Sequence, residues 1–554
     1  MRRLLQKTAR AAVPVLVAAT AACQPGKPDP MGHYRHLVVI YEENHSFDNL
    51  YGGWGTVGGQ AVDGIGASGY RRRAAQVGQH GHVYRCLPQN DANLVTAADT
   101  VTFLDGSTHP GLLPASCAST HAAPPAPYNS AFRNRPFDIT TYVRPKDNTC
   151  PPATASPAHG VRKGDPTGLP GGCTQDLVHR FYQEQYQLDG GRMDRYTTGS
   201  DAVGLTQGFY DTRQLPLYRY LHTAGAPHYV IADHFFQAAF GGSFLNHQFL
   251  VAGRAPTWPG AATNGGPTDH HSVLDSHGFP NTYPQYTPDR HGTDGPLTQA
   301  CSLPTTVPGL ACGDFAVNTI QPTNPPHGSG PQLPLIDDRA YPNIGDELTH
   351  RGVSWTWYAG GWDDAVAGHP DPLFQYHHQP FNYFADYAPG KPGRAHLQDE
   401  TNFVAAAKSG TLPAVSFVKP LGEENEHPGY ASTPTGETHL VDLIKTIMAG
   451  PQAKGTLIVV TYDEFGGQWD HVPPPGQGRP GVHDQFGPGT RIPTLVIGGT
   501  FTRSGVDSTT YDTTSILTTL ENQYALPALS SREAQMPDLR ATLLTGGDTR
   551  RPTS

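Results

Sequence analysis

Six short and nearly continuous apolar runs most constrain how this 554-residue chain can fold. A strand that is buried on both faces of a sheet reads as an unbroken apolar run, because neither face meets water. The runs are HLVVIY at 36–41, HYVIA at 228–232, VSWTWY at 353–358, AVSFV at 414–418, TLIVVTY at 456–462 and PTLVIG at 493–498. The sequence therefore predicts a central sheet that is covered on both sides.

Helical patterns lie between these runs. They are LPLYRYLHTA at 215–224, GDELTHRG at 345–352, THLVDLIKTIMA at 438–449 and TTSILTTLENQYAL at 513–526. Strands that alternate with helices favour parallel pairing, since each helix carries the chain back to the start of the next strand. We therefore expect an α/β fold with a mainly parallel central sheet flanked by helices.

Two long stretches interrupt this alternation. Residues 52–175 and 253–340 are rich in Gly, Pro, Thr and His, in a chain that has 63 glycines and 53 prolines. The chain is also 37% hydrophobic, which argues against general disorder. We interpret both stretches as insertions on the edges of one domain at 36–530, preceded by a linker at 23–35 and followed by a tail at 531–554.

The charge balance excludes one class of partner. The chain has 38 basic and 48 acidic residues, which gives a formal charge of −10, and no basic tract stands out. Proteins that bind a phosphate backbone rely on clustered Lys and Arg, so we do not expect a nucleic-acid partner.

The first 22 residues have the pattern of a secretory signal peptide. Arg2, Arg3, Lys7 and Arg10 precede an uncharged run that ends at Cys23 and is too short to span a bilayer. The twin arginines leave two export routes open, and Cys23 is either a lipidated first residue or lies beside a cleavage site after ATA. The predicted location is periplasmic, outer-membrane-anchored or secreted.

Six further cysteines suit an oxidising compartment. An even number in an exported chain indicates disulfides, and none of the spacings forms a CxxC metal clip. Pairing by the shortest loops joins Cys86 to Cys117, Cys150 to Cys173 and Cys301 to Cys312. All three bonds would then lie in the predicted insertions.

Polar side chains follow two of the predicted strands at the point where each strand ends. HLVVIY leads into Glu42, Glu43 and Asn44, and TLIVVTY leads into Asp463 and Glu464. The carboxyl ends of parallel strands meet at one edge of a sheet, where ligands bind. Carboxylates gathered there repel one another unless they share a proton or a cation, and such oxygen-rich clusters suit divalent metals. The alternative is that each cluster only caps a helix or a turn.

The surrounding motifs resemble those of a known family. EENHSFDNLYG at 42–52 and TLIVVTYDEFGGQWDHVPPP at 456–475 resemble the two hallmarks of the bacterial phosphoesterases, which include phosphatidylcholine-type phospholipases C and non-specific acid phosphatases. Four more segments are similar to the acid phosphatase branch: HRFYQEQYQLDGGRMDRY at 179–196, GGSFLNHQFLVAG at 241–253, YHHQPFNYFADYA at 376–388 and LPAVSFVKPLGEENEHPGYAS at 412–432. The resemblance implies an alkaline-phosphatase-like α/β fold.

The resemblance also implies one divalent metal, whose identity it leaves open. Its ligands would be Glu43, Asn44, Asp463, Glu464 and Ser243. Ser243 would be the nucleophile, because coordination of its hydroxyl favours the alkoxide.

Further roles follow from the same resemblance. Asn44 and Asn246 would contact phosphate oxygens, and a histidine would protonate the leaving alkoxide. The candidates for this acid are His179, His377, His378 and His427. His471 is expected to steady Asp470 and the metal loop without binding the metal.

We therefore predict a metal-dependent hydrolase of phosphate esters, namely an exported acid phosphatase that works through a phosphoserine. Imidazoles that become charged below pH ~6.5 would give the reaction an acidic optimum. One alternative is a phospholipase C that cleaves phosphatidylcholine-like diesters, although YDTTS at 511–515 departs from the YDHTS-like form of many phospholipase members. An inactive surface binding protein is the alternative from another class, and the presence of both Glu43 and Ser243 argues against it.

Overall fold

A computed structural model describes residues 31–67, 70–88, 95–102, 108–112, 130–140, 143–152, 166–261, 270–301, 307 and 309–548. The predicted signal peptide, the candidate lipidation site Cys23 and the cysteine Cys117 lie outside these residues. Among the described helices, none combines the length and the apolar character needed to cross a membrane.

One eight-stranded sheet forms the centre of the molecule. Its strands in chain order are β1 His36–Glu42, β2 Tyr229–Ala232, β3 Trp355–Ala359, β4 Leu397–Asp399, β5 Val415–Lys419, β6 Thr456–Tyr462, β7 Thr494–Gly498 and β8 Gly505–Asp507. Their order across the sheet is β4-β3-β5-β1-β6-β7-β2-β8. All six predicted strands are present, which confirms the central sheet.

The sheet is mainly parallel. β7 is the exception, because it pairs in antiparallel fashion with both β6 and β2. β1 lies between β5 and β6 and is parallel to both, with Leu37 opposite Val415 on one side and Leu457 on the other. The short edge strands β4 and β8 were not predicted, since three residues are too few to show a pattern.

Helices cover the sheet and connect its strands. They are α1 Phe47–Leu50, α2 Tyr70–Arg73, α3 Phe181–Leu188, α4 Pro216–Leu221, α5 Ser243–Ala252, α6 Ile344–His350, α7 Trp362–Val366, α8 Glu400–Ser409, α9 Thr433–Ala449, α10 Thr514–Tyr524 and α11 Arg540–Thr545. The four predicted helices correspond to α4, α6, α9 and α10. The prediction missed α5 because all ten of its residues are buried, so it lacks the polar face that reveals a surface helix.

The predicted insertions add no strand to the large sheet in the part that is described. The first of them, 52–175, contributes instead to small two-stranded sheets, which pair Thr56–Val57 with Gln60–Ala61, Cys86–Pro88 with Ser130–Arg133, Val95–Thr102 with Thr108–Leu112, and Phe137–Asp138 with Gly208–Phe209. A fifth pair, Phe235–Phe236 with Tyr511–Asp512, lies outside the insertions. Disulfides join Cys150 to Cys173 and Cys301 to Cys312, which confirms two of the three predicted pairings. The pairing of Cys86 with Cys117 falls outside the described residues.

The hydrophobic core extends past both ends of the predicted domain. Met31 and Tyr34, from the predicted linker, are buried against the main core cluster. Leu539 and Leu543, from the predicted tail, are buried in the same cluster. Both termini of the described chain therefore pack onto the domain, since their apolar side chains are covered there.

Candidate active site

The two acidic motifs meet at the carboxyl edge of the sheet. β1 ends at Glu42 and β6 at Tyr462, and these two residues are partners in the parallel register. The next residues, Glu43 and Asp463, therefore leave the sheet side by side, and each is fully buried. The prediction placed both clusters at one edge of a mainly parallel sheet; that the two strands are direct neighbours is a finding of the structure.

Ser243 reaches this edge from a separate segment. It is the first residue of α5, and its hydroxyl donates to Oε2 of Glu43 at 3.3 Å. Gly241 has a φ of +89°, and a Cβ there would lie 2.6 Å from the backbone nitrogen of Phe181. The turn before Ser243 therefore requires glycine. Because Ser243 begins a ten-residue helix, the backbone dipoles also favour negative charge at its side chain.

Three buried oxygens beside Ser243 have no hydrogen-bond partner. They are Oδ1 of Asn44, Oδ2 of Asp463 and Oε1 of Glu464. Burial raises the pKa of both Asp463 and Glu464 well above the ordinary value, and the neighbouring carboxylates raise it further. Buried oxygens that lack donors and sit among carboxylates suit a divalent cation. The residues that the sequence names as ligands therefore fit a metal at this place.

Glu43 differs from its acidic neighbours because it has a buried counter-charge. Nζ of Lys419 lies 2.5 Å from Oε1 of Glu43, and both side chains are fully buried. Burial alone would raise the pKa of Glu43, but Lys419 and then His378 outweigh it and hold that pKa well below its usual range. The sequence analysis missed Lys419. A lysine that directly ends a buried strand, as in AVSFVK, was the available signal.

The four predicted histidines also lie at this centre. Nδ2 of Asn44 lies 3.0 Å from Nε2 of His427 and 3.4 Å from Nε2 of His179. His378 contacts Glu43, with its Nε2 2.8 Å from Oε1. The His377 ring packs edge-on against the His378 ring at a centroid distance of 4.7 Å.

The environment of these rings differs from the one expected. Burial lowers the pKa of His179 and His378, lowers that of His377 well below its ordinary value, and brings that of His427 to about 3. These shifts run against the expectation that the imidazoles become charged just below neutral pH, because burial disfavours the charged ring. The positive charge beside Glu43 comes from Lys419 instead.

Asn246 has other partners than those expected. Its carboxamide is fully buried, accepts from the N–H of Ala239 at 2.9 Å, and donates to the carbonyls of Ala239, Gly241 and Gly242. These contacts fix the backbone turn that leads into Ser243. The predicted contact of Asn246 with phosphate stays a prediction.

His247 is a buried member of this centre that the sequence analysis did not single out. It lies one turn after Ser243 on α5, and its Nδ1 lies 2.7 Å from the Ser243 carbonyl oxygen and 3.8 Å from Oδ2 of Asp463. Its ring stacks on that of His378 at 5.2 Å. The motif GGSFLNHQFLVAG contains it, but helical spacing from Ser243 becomes informative only once α5 is recognised.

His471 supports the loop that follows Glu464, but its partners differ from the predicted partner, Asp470. Its Nδ1 lies 2.7 Å from Asp48 and its Nε2 3.1 Å from Asp63, whereas Asp470 pairs with the buried Arg491. Although burial opposes the charged ring, Asp48 and then Asp63 raise the pKa of His471 to about 9. His471 and Arg491 together tie the segment after Glu464 to α1.

A cavity of about 290 Å³ adjoins the centre. It is lined by His179 and Gly242 from the centre, by Arg180 and Asn318, and by the two carboxylates Asp176 and Asp201. Among the described residues that line it, the one ring is the imidazole of His179. Ser243 is 5% exposed, so its side chain is almost completely covered.

Together these features define an α/β protein with a buried, carboxylate-rich centre built around a serine at a helix N-terminus. The Phosphoesterase family model matches residues 146–527, and the chain belongs to that family. The predicted family is thereby confirmed.

Curated relatives include several phospholipases C. Phospholipase C B of Mycobacterium tuberculosis is 24% identical over 409 residues, which is 67% of this chain and 64% of the relative. Non-hemolytic phospholipase C of Burkholderia pseudomallei is 28% identical over 32% of this chain and 31% of its own length. Non-specific phospholipase C6 of Arabidopsis thaliana is 27% identical over 25% of this chain and 31% of its own length. The chain thus spans slightly less than two thirds of the first of these relatives.

Among solved structures, a Vibrio parahaemolyticus protein in the alkaline phosphatase superfamily aligns with a TM-score of 0.23 at 11% identity, over 36% of this chain and 50% of that one. A putative sulfatase from Bacteroides thetaiotaomicron aligns with a TM-score of 0.23 at 12% identity, over 42% of this chain and 62% of the sulfatase chain.

Proposed function

We propose that the protein is a metal-dependent hydrolase of phosphoric esters that uses Ser243 as its nucleophile. One observation carries the proposal: the Ser243 hydroxyl contacts Glu43 beside three buried, unpartnered oxygens of Asn44, Asp463 and Glu464. A purely structural serine would not need to lie beside buried oxygens that no hydrogen bond satisfies. Family membership supports the same reaction class.

Glu43, Asn44, Asp463, Glu464 and Ser243 would hold the cation. When bound, a divalent metal supplies positive charge that favours the serine alkoxide and offsets the charge of the phosphoryl oxygens. Carboxylate, amide and alkoxide oxygens suit several divalent metals.

The chain's own residues then perform two displacements. Ser243 Oγ loses its proton to solvent and attacks phosphorus, the bond to the ester oxygen breaks, and the alcohol leaves with a proton from a histidine. We assign this proton to His179, because it lines the cavity through which the alcohol would depart. Burial lowers the pKa of His179, but the charge of Glu43 raises it, and the negative charge of a bound phosphate ester would favour the charged ring further. Water then gives a proton to this histidine and attacks the phosphoserine, the bond from phosphorus to Oγ breaks, and inorganic phosphate is released. The N-terminus of α5 favours the negative charge in both steps.

Phosphate monoesters are the proposed substrates. The cavity beside His179 is small and polar, and its described lining offers no aromatic cage for a quaternary ammonium group. Phospholipase C activity is the second candidate, and the names of the curated relatives favour it. The described disulfides support the proposal that the enzyme works outside the cytoplasm.

The decisive experiment combines trapping with kinetics. Acid quenching during turnover of p-nitrophenyl phosphate is expected to leave phosphate on the peptide that contains Ser243, as measured by mass spectrometry. Ser243→Ala should abolish both the adduct and turnover, while Ser409→Ala, at an exposed helix end, should change neither. Turnover that persists in Ser243→Ala would refute the proposed nucleophile. Comparing kcat/KM on this monoester and on p-nitrophenylphosphorylcholine decides between the two substrate classes.

A further inference from the structure

Glu184 is a fully buried carboxylate on α3 that the proposed reaction does not use. Its Oε2 accepts hydrogen bonds from the backbone N–H of Gly241 at 2.6 Å and from Nε2 of Gln237 at 2.9 Å. Its Oε1 accepts from the N–H of Thr490 at 2.6 Å and from the hydroxyl of the same residue at 2.8 Å. All four partners are donors, which suits a carboxylate because that group only accepts. Burial raises the pKa of Glu184 to about 7 although these hydrogen bonds lower it, so the carboxylate is the main form at pH ~8.

Gln237 extends this network to the second acidic motif. Its side chain is fully buried, and its Oε1 accepts from the backbone N–H of Phe465 at 2.9 Å. Phe465 directly follows Glu464 in the chain. Glu184 is therefore bonded directly to the turn before Ser243 and, through Gln237, to the loop that follows Glu464.

The two segments depend on these side chains for their backbone hydrogen bonds. Gly241 precedes α5 and Phe465 follows β6, so neither lies in a helix or a strand, yet both are buried. A buried N–H needs an acceptor, and here Glu184 and Gln237 supply it. Such contacts matter for the reaction, because a displacement of ~1 Å at a reacting group can reduce the rate ~100-fold.

We propose that Glu184 is a positioning residue, which acts with Gln237 to set the distance between the Ser243 hydroxyl and the carboxylates of Asp463 and Glu464. The nucleophile and the acidic pair come from separate segments, at the start of α5 and after the end of β6, and the network joins the two. None of the four hydrogen bonds of Glu184 goes to these three side chains, so it acts through the groups between them. The inference rests on the proposed function, because it concerns the geometry of the same centre.

Kinetics at pH ~8, where Glu184 is mainly charged, test this role. Glu184→Gln keeps the shape of the side chain but turns an NH₂ group toward donors, so it should reduce kcat on p-nitrophenyl phosphate at least ~10-fold. KM should stay within ~3-fold of the wild-type value, because Glu184 is not among the groups that would bind the substrate. Glu533→Gln is the matched control, since it makes the same change at another fully buried glutamate, which accepts from the N–H of Ser530. The control should keep the wild-type kcat.

Zinc affinity is a second measurement that needs no active enzyme. Calorimetric titration of the metal-free, full-length protein with Zn²⁺ measures the affinity of the equivalent that Asp463→Asn removes. Gln237→Met deletes both the acceptor for Phe465 and the donor to Glu184. Glu184→Gln and Gln237→Met should each weaken this equivalent at least ~10-fold, as the loss of an outer partner of a metal site does. The double variant should bind Zn²⁺ within ~2-fold of the weaker single variant, because the two residues act through one network.

The proposal is overturned if Glu184→Gln keeps the wild-type kcat and Zn²⁺ affinity, whether or not its melting temperature falls. In that case Glu184 only stabilises the fold. If Glu184→Gln does not fold, Gln237→Met decides the question through the same two measurements. A wild-type protein that hydrolyses no phosphate ester would refute the proposed function, whereas the Zn²⁺ affinities would still decide the positioning role.

Discussion

Arg491 is a buried cation whose removal should strongly weaken the fold. Its side chain is fully buried and donates to Asp470 at 3.2 Å and to Asp48 at 3.1 Å. It also donates to the backbone carbonyls of Asp63 at 2.6 Å and Asp233 at 2.8 Å. Arg491→Met keeps much of the apolar stem but leaves two buried carboxylates and two carbonyls without this partner.

The expected loss follows from these contacts. Removing one partner of a buried ion pair costs ~3–5 kcal/mol, and each carbonyl left unpaired adds ~1 kcal/mol. Part of this is recovered when His471 and water approach the vacated space. We therefore expect Arg491→Met to lower the free energy of unfolding by ~5 kcal/mol. Catalytic turnover should fall as well, because Arg491 joins α1 to the loop that follows Glu464.

Urea unfolding, followed by tryptophan fluorescence with the disulfides intact, measures this loss as a shift of the midpoint at constant slope. Arg213→Met is the matched control, because Arg213 pairs with Asp211 at the surface and solvent screens that pair. The control should unfold at the wild-type midpoint. If Arg491→Met also unfolds there, the charges around Asp470 do not stabilise the fold and the reasoning is refuted.

Three other predictions concern neighbouring groups. Because Asp48 and Asp63 raise the pKa of His471 to about 9, its charged ring should contribute ~3 kcal/mol to stability. This contribution should be complete below pH ~6.5 and should disappear as the pH rises through 9. Urea unfolding of wild type against His471→Gln across this pH range measures it. Lys419→Met should lower the free energy of unfolding by ~3 kcal/mol because Glu43 loses its buried counter-charge, and an unchanged midpoint would contradict this. Asn246→Ala should lower the melting temperature and reduce kcat on p-nitrophenyl phosphate at least ~10-fold, because the turn before Ser243 loses its side-chain hydrogen bonds. Retention of full kcat would show that the turn keeps its conformation without these hydrogen bonds.

The strands and the two acidic motifs could be predicted from the sequence because their signals are local. A strand buried on both faces must be apolar along its whole length, so HLVVIY and TLIVVTY are recognisable without knowledge of their neighbours. Parallel pairing then places Glu43 and Asp463 at one edge, whatever the details of the packing. The disulfides between Cys150 and Cys173 and between Cys301 and Cys312 were within reach for a similar reason, since each closes a short loop.

Only the tertiary structure decided the environment of these groups. Lys419 is a counter-charge for Glu43 because β5 lies beside β1, and no spacing along the chain encodes that contact. The histidines have lowered pKa values because folding removes water from them, and Asn246 bonds to backbone because α5 is completely buried. The sequence by itself therefore determined the sheet and the residue types at its edge. Burial and the pairing of distant charges, which exist only in the folded chain, decided their protonation and their partners.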